Sequence, residues 1–358
     1  MPMKVSTHLH PHTPLGPAAA WSRTREAMGF DTLWYGEAKY NPFLSCLLMA
    51  QNTQHVQFGP NVTVAFARSP HVMANEAWDL QAYSGGRFVL GMGTQVKGHN
   101  ERRFSVPWGP PMPRLREYIE CVRAIWDSWQ NGTKPNYEGK YYRYQLTSWN
   151  FNPGPIEHPN IPVMIAAVKE RNTALAGSHC DGILFHGFMS FKWKNEILMP
   201  ILLDSIRKSG RDPKDFIIHG GGFVVTGRDQ AELDQQIAEQ RRWLAFYAST
   251  RTYHDSMRMS GFADEAAQLH RMSIDGEWDK MTAIVTDDML DAYCVIGTWD
   301  EMPRKMHEKF AGINTEISFS PDIRTPDDEA QVHEIVAKLK QIPSYGEVAP
   351  VAALAPTA

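Results

Sequence analysis

Cysteine is scarce. The four in the chain, Cys46, Cys121, Cys180 and Cys294, lie far apart and form no CxxC pair. That spacing supports neither a disulfide framework nor a thiolate zinc site, so they read as free thiols in a reducing compartment. Long apolar runs are absent too: none reaches the roughly 20 residues that a membrane-spanning helix needs. A strand-like stretch begins almost at the N-terminus with no cationic and then apolar leader before it, so a cytoplasmic location is expected. Charge of one sign is also lacking, because the net charge is only -4 and Lys and Arg are interspersed among Asp and Glu. Without a basic stripe neither nucleic acid nor membrane is an expected partner, and a small-molecule substrate is. No short-period repeat is present, which removes the solenoid architectures.

What is present is a long alternation of apolar strand-like and helical stretches. At 358 residues and 43% hydrophobic, the chain can bury one large core. Lys4 to Leu9 reads as a strand, Pro17 to Met28 as a helix closed at Gly29, and Thr32 to Tyr35 as the second strand. Further strands are expected at Val56–Ala65, Arg87–Leu90, Pro162–Val168, Gly182–His186, Phe216–Val225 and Glu316–Ser320, with helices between them. Gly91 and Gly93 then fall in a loop after the fourth strand. Arg114 to Trp126 has the apolar spacing of a helix covering a sheet. Eight βα repeats imply an α/β fold, a (β/α)8 TIM barrel, with insertions after strands 4 and 7. A single domain is expected over residues 1–345, with insertions at about 131–159 and 230–295 and a disordered tail at 346–358.

In such a barrel the chemistry sits at the C-terminal ends of the strands. Strand one ends at His8, strand two at Glu37, and strand three at Ala65-Phe66-Ala67-Arg68. The fourth strand gives Thr94 and Gln95, the fifth Ala167, Val168 and Lys169, and the sixth His186 and Gly187. These ends are rich in Gly and Ala with a few polar groups, which suits a planar cofactor better than a metal. Glu37, leaving an apolar strand, must find a partner or a function. His8 reads equally as a satisfied structural histidine. Trp243, Phe246 and Tyr247 have helical spacing and read as packing before they read as a substrate cage. The pair His8-x-His10 has the spacing of the first two ligands in metal-dependent barrel hydrolases, but the later strand ends offer no matching set, and His186 and Asp322 do not complete one.

The run Gly85-Gly86-Arg87-Phe88-Val89-Leu90-Gly91-Met92-Gly93, followed by Arg116-Glu117-Tyr118 and Ile125-Trp126, resembles the signature of the bacterial luciferase-like monooxygenase superfamily. Gly29 to Trp34, Val64 to Pro70, Pro162 to Ala167 and Asp181-Gly182 extend the likeness to about Pro343. The pattern is most similar to the branch that uses the deazaflavin coenzyme F420, with FMN-dependent monooxygenases as the alternative. The resemblance implies a hydride-transferring oxidoreductase acting on a hydrophobic carbonyl, alcohol or activated alkene, and a homodimer. It implies a cofactor ring over a backbone bulge after strand three, with a non-prolyl cis peptide near Ala65-Phe66. It also implies cofactor contacts at Thr94 and Gln95 and phosphate contacts on the backbone of Ala167, Val168, His186 and Gly187. Lys97, Arg102, Arg103, Lys169 and Arg171 would form a basic rim for an anionic tail, or else are solvated loop charge. Glu37 or His8 would exchange the proton. The match departs from the family at Gln95, where many deazaflavin members carry a glycine, and at Glu37-Ala38, where they carry an acid-histidine pair.

Overall fold

Which strand pairs with which, more than the strand count, sets this architecture. The computed structural model describes residues 2–347. Its strands are Lys4–Leu9 (β1), Thr32–Tyr35 (β2), Gln57–Pro60 (β3), Thr63–Val64 (β4) and Leu90–Gly93 (β5). A hairpin of Tyr137–Glu138 (β6) and Arg143–Tyr144 (β7) follows, and then Val163–Ala167 (β8), Gly182–Phe185 (β9) and Ile217–Gly220 (β10). Phe223–Gly227 (β11), Cys294–Thr298 (β12) and Glu316–Ser318 (β13) complete the set. Hydrogen bonding orders nine of them β3-β2-β1-β13-β10-β9-β8-β5-β4. The two ends of this ladder, β3 and β4, are consecutive in the chain, with only Asn61 and Val62 between them. The fold is therefore α/β, a (β/α)8 TIM barrel whose third barrel strand is shared between β3 and β4. That matches the class expected from the βα alternation.

The sharing corrects three expectations. The single strand expected over Val56–Ala65 is broken, because β3 pairs with β2 (Tyr35 opposite Pro60) while β4 pairs with β5 (Val64 opposite Gly93). The cis peptide lies in that break, at Asn61–Val62, and not near Ala65–Phe66, which occupy a buried 3-10 turn. The fourth barrel strand is Leu90–Gly93, so Gly91 and Gly93 belong to the strand and not to a loop after it. A backbone with little side-chain bulk is needed there: a Cβ on Gly93 would stand 2.8 Å from Cγ2 of Val62.

The chain packs as two compact units. One comprises Thr7–Ala166 and Ala174–Ile183. The Gly85-Gly86-Arg87-Phe88 run is its structural clamp. Arg87 Nη1 donates to Thr53 Oγ1 (2.7 Å) and Val56 O (3.0 Å), and Nη2 to Ala50 O (2.9 Å) and Thr53 O (3.1 Å), which satisfies the C-terminal end of the Pro42–Asn52 helix. Asn41 and Ser69 cap the helices Pro42–Asn52 and Pro70–Ser84, each followed by a proline at the first helical position. Trp78 and Trp126, from the Pro70–Ser84 and Pro111–Asn131 helices, stack at 6.5 Å and fill the layer beneath.

The other unit comprises residues up to Ser6, Ala167–Thr173 and everything from Leu184 on. Here the expected strand Phe216–Val225 is two strands. Gly220, Gly221 and Gly222 all take positive φ, the left-handed region open to glycine, and carry the chain from β10 in the large sheet to β11 in a separate parallel pair with β12. The strand β12 lies where the helical excursion was expected to end. The helix Gln230–Ala248 packs over this pair with Leu233, Leu244 and Ala248 buried against Met257, Leu269 and Met289. The tail expected from residue 346 lies, from residue 348 on, outside the described residues.

Candidate active site

The expected site residues fall into two clusters, one in each unit. In the first, Glu37 follows β2 and turns its carboxylate onto the break in the third barrel strand. Its Oε2 accepts from Thr63 Oγ1 (2.8 Å), Val64 N (2.7 Å) and Arg68 Nη1 (2.8 Å), and its Oε1 also accepts from Arg68 Nη1 (3.1 Å). Both side chains are largely buried, Arg68 at 12% and Glu37 at 9% exposed. Arg68 also lies 3.3 Å from Glu76 Oε2 and over the Phe43 ring at 5.2 Å. Burial first, and then the charge of Glu37, raise the Glu76 carboxyl above its ordinary pKa, against the pull of Arg68. Arg68 is therefore a buried cation between two carboxylates, not a surface charge.

His8, at the half-buried end of β1, meets the same break from another side. Its Nε2 lies 3.1 Å from Nδ2 of Asn61, one of the two residues of the cis peptide. Thr94 and Gln95 leave β5 half-buried. Gln95 has φ 57°, and its amide oxygen accepts from its neighbour's Val96 N (2.9 Å). Asn100, fully buried, holds this loop by donating to Thr94 O (2.9 Å) and Val96 O (3.1 Å). His8, Glu37, Thr94 and Gln95 thus belong to one unit with the Asn61–Val62 break. His10 is exposed and meets the His12 ring edge-on at 5.0 Å. No group of three or more His, Cys, Asp or Glu side chains among the described residues is arranged to hold a metal ion.

The second cluster follows β8 and β9. Val168 O accepts from Trp193 Nε1 (3.3 Å), and Lys169 Nζ pairs with Asp255 at 3.2 Å. After β9, Phe188 N donates to His186 Nδ1 (2.9 Å) and Met189 N to Gly187 O (2.8 Å), so this loop is held by its own backbone donors. The His186 ring sits among Tyr247 (4.9 Å between ring centres), Tyr253 (5.7 Å) and Phe223 (6.4 Å). This burial pushes the His186 imidazole down to about 4, which leaves it neutral with its proton on Nε2. Gly187 is required by the same packing, since a Cβ there would lie 2.5 Å from the Phe223 ring.

Sequence reasoning placed Tyr247 in a packing role and did not single out Tyr253. The aromatic density of that stretch was visible, but helical spacing alone reads as core. A cavity of about 910 Å³, lined by Arg241, Phe246, Trp278 and Met281, contains none of the expected site residues, and its Arg241 is paired with Asp287.

A parallel (β/α)8 barrel with small residues and a few polar side chains at its strand ends is the architecture of a barrel enzyme. The chain belongs to the luciferase-like monooxygenase family, whose model matches residues 1–314. It is 41% identical over 84% of its length, and 88% of theirs, to an uncharacterized protein of Mycobacterium tuberculosis. It is 30% identical, over 78% of this chain and 84% of the other, to a putative coenzyme F420-dependent oxidoreductase of the same organism. Among solved structures, the coenzyme F420 dependent tetrahydromethanopterin reductase from Methanopyrus kandleri superimposes with a TM-score of 0.76 at 20% identity, covering 96% of this chain and 99% of that one. An oxygenating component of 3,6-diketocamphane monooxygenase in complex with FMN, from Pseudomonas putida, aligns with a TM-score of 0.65 at 16% identity, covering 95% and 97%. Relatives and structural neighbours thus include F420-dependent oxidoreductases and FMN monooxygenases.

Proposed function

We propose that this chain is an F420-dependent oxidoreductase that moves a hydride between the deazaflavin and a hydrophobic carbonyl, alcohol or activated alkene. The observation that carries this reading is the similarity, over 78% of the chain, to a protein named for F420 dependence. The donor set supports a planar organic cofactor: half-buried Thr94, Gln95 and His8 at strand ends rich in small residues. When bound, F420 supplies or accepts the hydride. Ala65, Phe66, Thr94 and Gln95 are the proposed contacts to its ring, and the backbone of Ala167, Val168, His186 and Gly187 the proposed contacts to its phosphate.

The proton has to move separately. Glu37 is poorly suited to exchange it, because its Oε2 accepts from three donors and both its oxygens accept from Arg68. Its proposed role is positioning: it fixes Thr63 and Val64 where the strand changes partner. His8, held by Asn61, is the proposed acid and base. We further propose that the protein acts as a homodimer, which sedimentation velocity reads directly.

The FMN monooxygenase reading is kept alive by the FMN-bound neighbour. Titration of the protein's 11 tryptophans by fluorescence against F420 and against FMN separates the two. Micromolar quenching by F420 with little response to FMN is the expected result. The reverse preference assigns the oxygen-using class, and binding of neither removes the catalytic reading.

A further inference from the structure

The aromatic cluster after β9 is built in two layers that differ in how their polar groups are satisfied. The lower layer is closed. Phe188 and Tyr293 stack at 4.5 Å and 18° and are fully buried. The Tyr293 hydroxyl lies 3.4 Å from Ser256 Oγ, which is itself 3.3 Å from Ser190 Oγ, and Ser260 Oγ donates to Ser190 Oγ at 2.8 Å. Buried tyrosines ordinarily find such partners.

The upper layer does not. His186, Tyr247 and Tyr253 are each half-buried, with ring centres 4.9 to 6.0 Å apart. Neither tyrosine hydroxyl, and not the His186 Nε2, has a hydrogen-bond partner among the described residues. Burial raises both phenols above their ordinary pKa, and the charge that Tyr247 would carry raises Tyr253 further. His186 is held neutral, so all three groups can donate. Tyr247 stands edge-on to the His186 and Tyr253 rings, and a cluster of aromatic rings whose donors have no protein partner suits a ring-bearing ligand with an acceptor oxygen.

We propose that Tyr247, Tyr253 and His186 form a recognition site for a ring-bearing substrate through its carbonyl or hydroxyl oxygen, the rings holding its flat body and the three donors its oxygen. The inference deepens the oxidoreductase reading by naming a substrate class, and rests on that reading only for what happens after binding. Such a site discriminates by polarity: a ligand without the oxygen leaves partly buried donors unpaired.

The test is ligand-observed NMR titration with 2-acetylnaphthalene and with 2-ethylnaphthalene, which has the same ring but no oxygen, on the full chain in the presence of F420. Wild type is expected to bind the ketone about tenfold more tightly than the hydrocarbon. In Tyr247→Phe/Tyr253→Phe that ratio falls toward one while hydrocarbon affinity is unchanged. His186→Gln, which keeps a donor near the Nε2 position, retains more of the ratio than His186→Leu. A purely structural role would weaken both ligands alike and leave the ratio intact, and that outcome overturns the proposal. So does failure of wild type to bind either naphthalene. Failure of F420 to quench the tryptophans, with the naphthalene ratio preserved, sinks the cofactor reading and leaves this one standing.

Discussion

Arg68 Nη1 stands 2.8 Å from Oε2 of Glu37, and that oxygen also accepts from the backbone N–H of Val64. The ion pair therefore joins the end of β2 to the point where the third barrel strand passes from one partner to another. Removing the carboxylate charge leaves a largely buried guanidinium with only Glu76 nearby. Glu37→Gln is expected to lower the unfolding free energy by roughly 3 kcal/mol, the scale for breaking a buried pair. Urea denaturation measures it, and a loss under about 0.5 kcal/mol would show that the pair carries no structural weight.

Gly93 and Val62 form a steric couple. Gly93→Ala puts a Cβ 2.8 Å from Val62 Cγ2 and, since a valine is stiff about χ1, costs about 1–3 kcal/mol. Shortening the neighbour in Gly93→Ala/Val62→Ala should recover most of that loss. Thermal melts of the single and double variants check this, and additive losses would refute the coupling.

Lys194 is fully buried in a π-helical turn. Its Nζ donates to Asn314 Oδ1 (2.6 Å) and Gly220 O (3.2 Å), and burial pushes it down to about 7. Above that value the folded state holds a neutral amine while the unfolded chain stays protonated up to about pH 10. The unfolded state then binds more protons, so the Lys194 contribution to stability grows as pH rises from about 7 to about 10. The gap in unfolding free energy between wild type and Lys194→Met should widen by up to about 1.4 kcal/mol per pH unit in that window. A gap independent of pH would mean that Lys194 keeps its charge.

His186 is expected to stay neutral from pH 8 down to about 5. Its folded pKa, near 4, lies below the unfolded value, so its contribution to stability is complete above about pH 6.5 and is lost as pH falls toward 4. Imidazole 15N shifts report this directly, with Nδ1 as acceptor and Nε2 protonated. A midpoint near 6.5 would place the ring in water.

His8→Gln should lower turnover about a hundredfold or more while leaving the F420 titration unchanged, since loss of a general acid or base affects the chemical step and not cofactor affinity. An equal loss in Glu37→Gln with no change in stability would return the proton-transfer role to the carboxylate.

The βα alternation and several helix starts were legible from residue order alone. Those depend on local terms: apolar periodicity, the caps Asn41 and Ser69 with their following prolines, and the Thr298-to-Glu301 capping box. The family was legible too, because the Gly85 to Gly93 run is compact and specific. Where the strands change partner was fixed by tertiary pairing. One apolar stretch from Val56 to Ala65 carries no local sign that its halves pair with β2 and β5, because that choice belongs to residues far away in the chain. The same holds for the sites. Glu37 meets Thr63, Val64 and Arg68 across a gap of 26 to 31 residues, and Tyr247 and Tyr253 reach His186 from more than 60 residues further on. Residue type marked Glu37 and His186 as candidates and left Tyr247 as packing, and whether a side chain's hydrogen bonds are already taken is settled only by what the fold brings beside it.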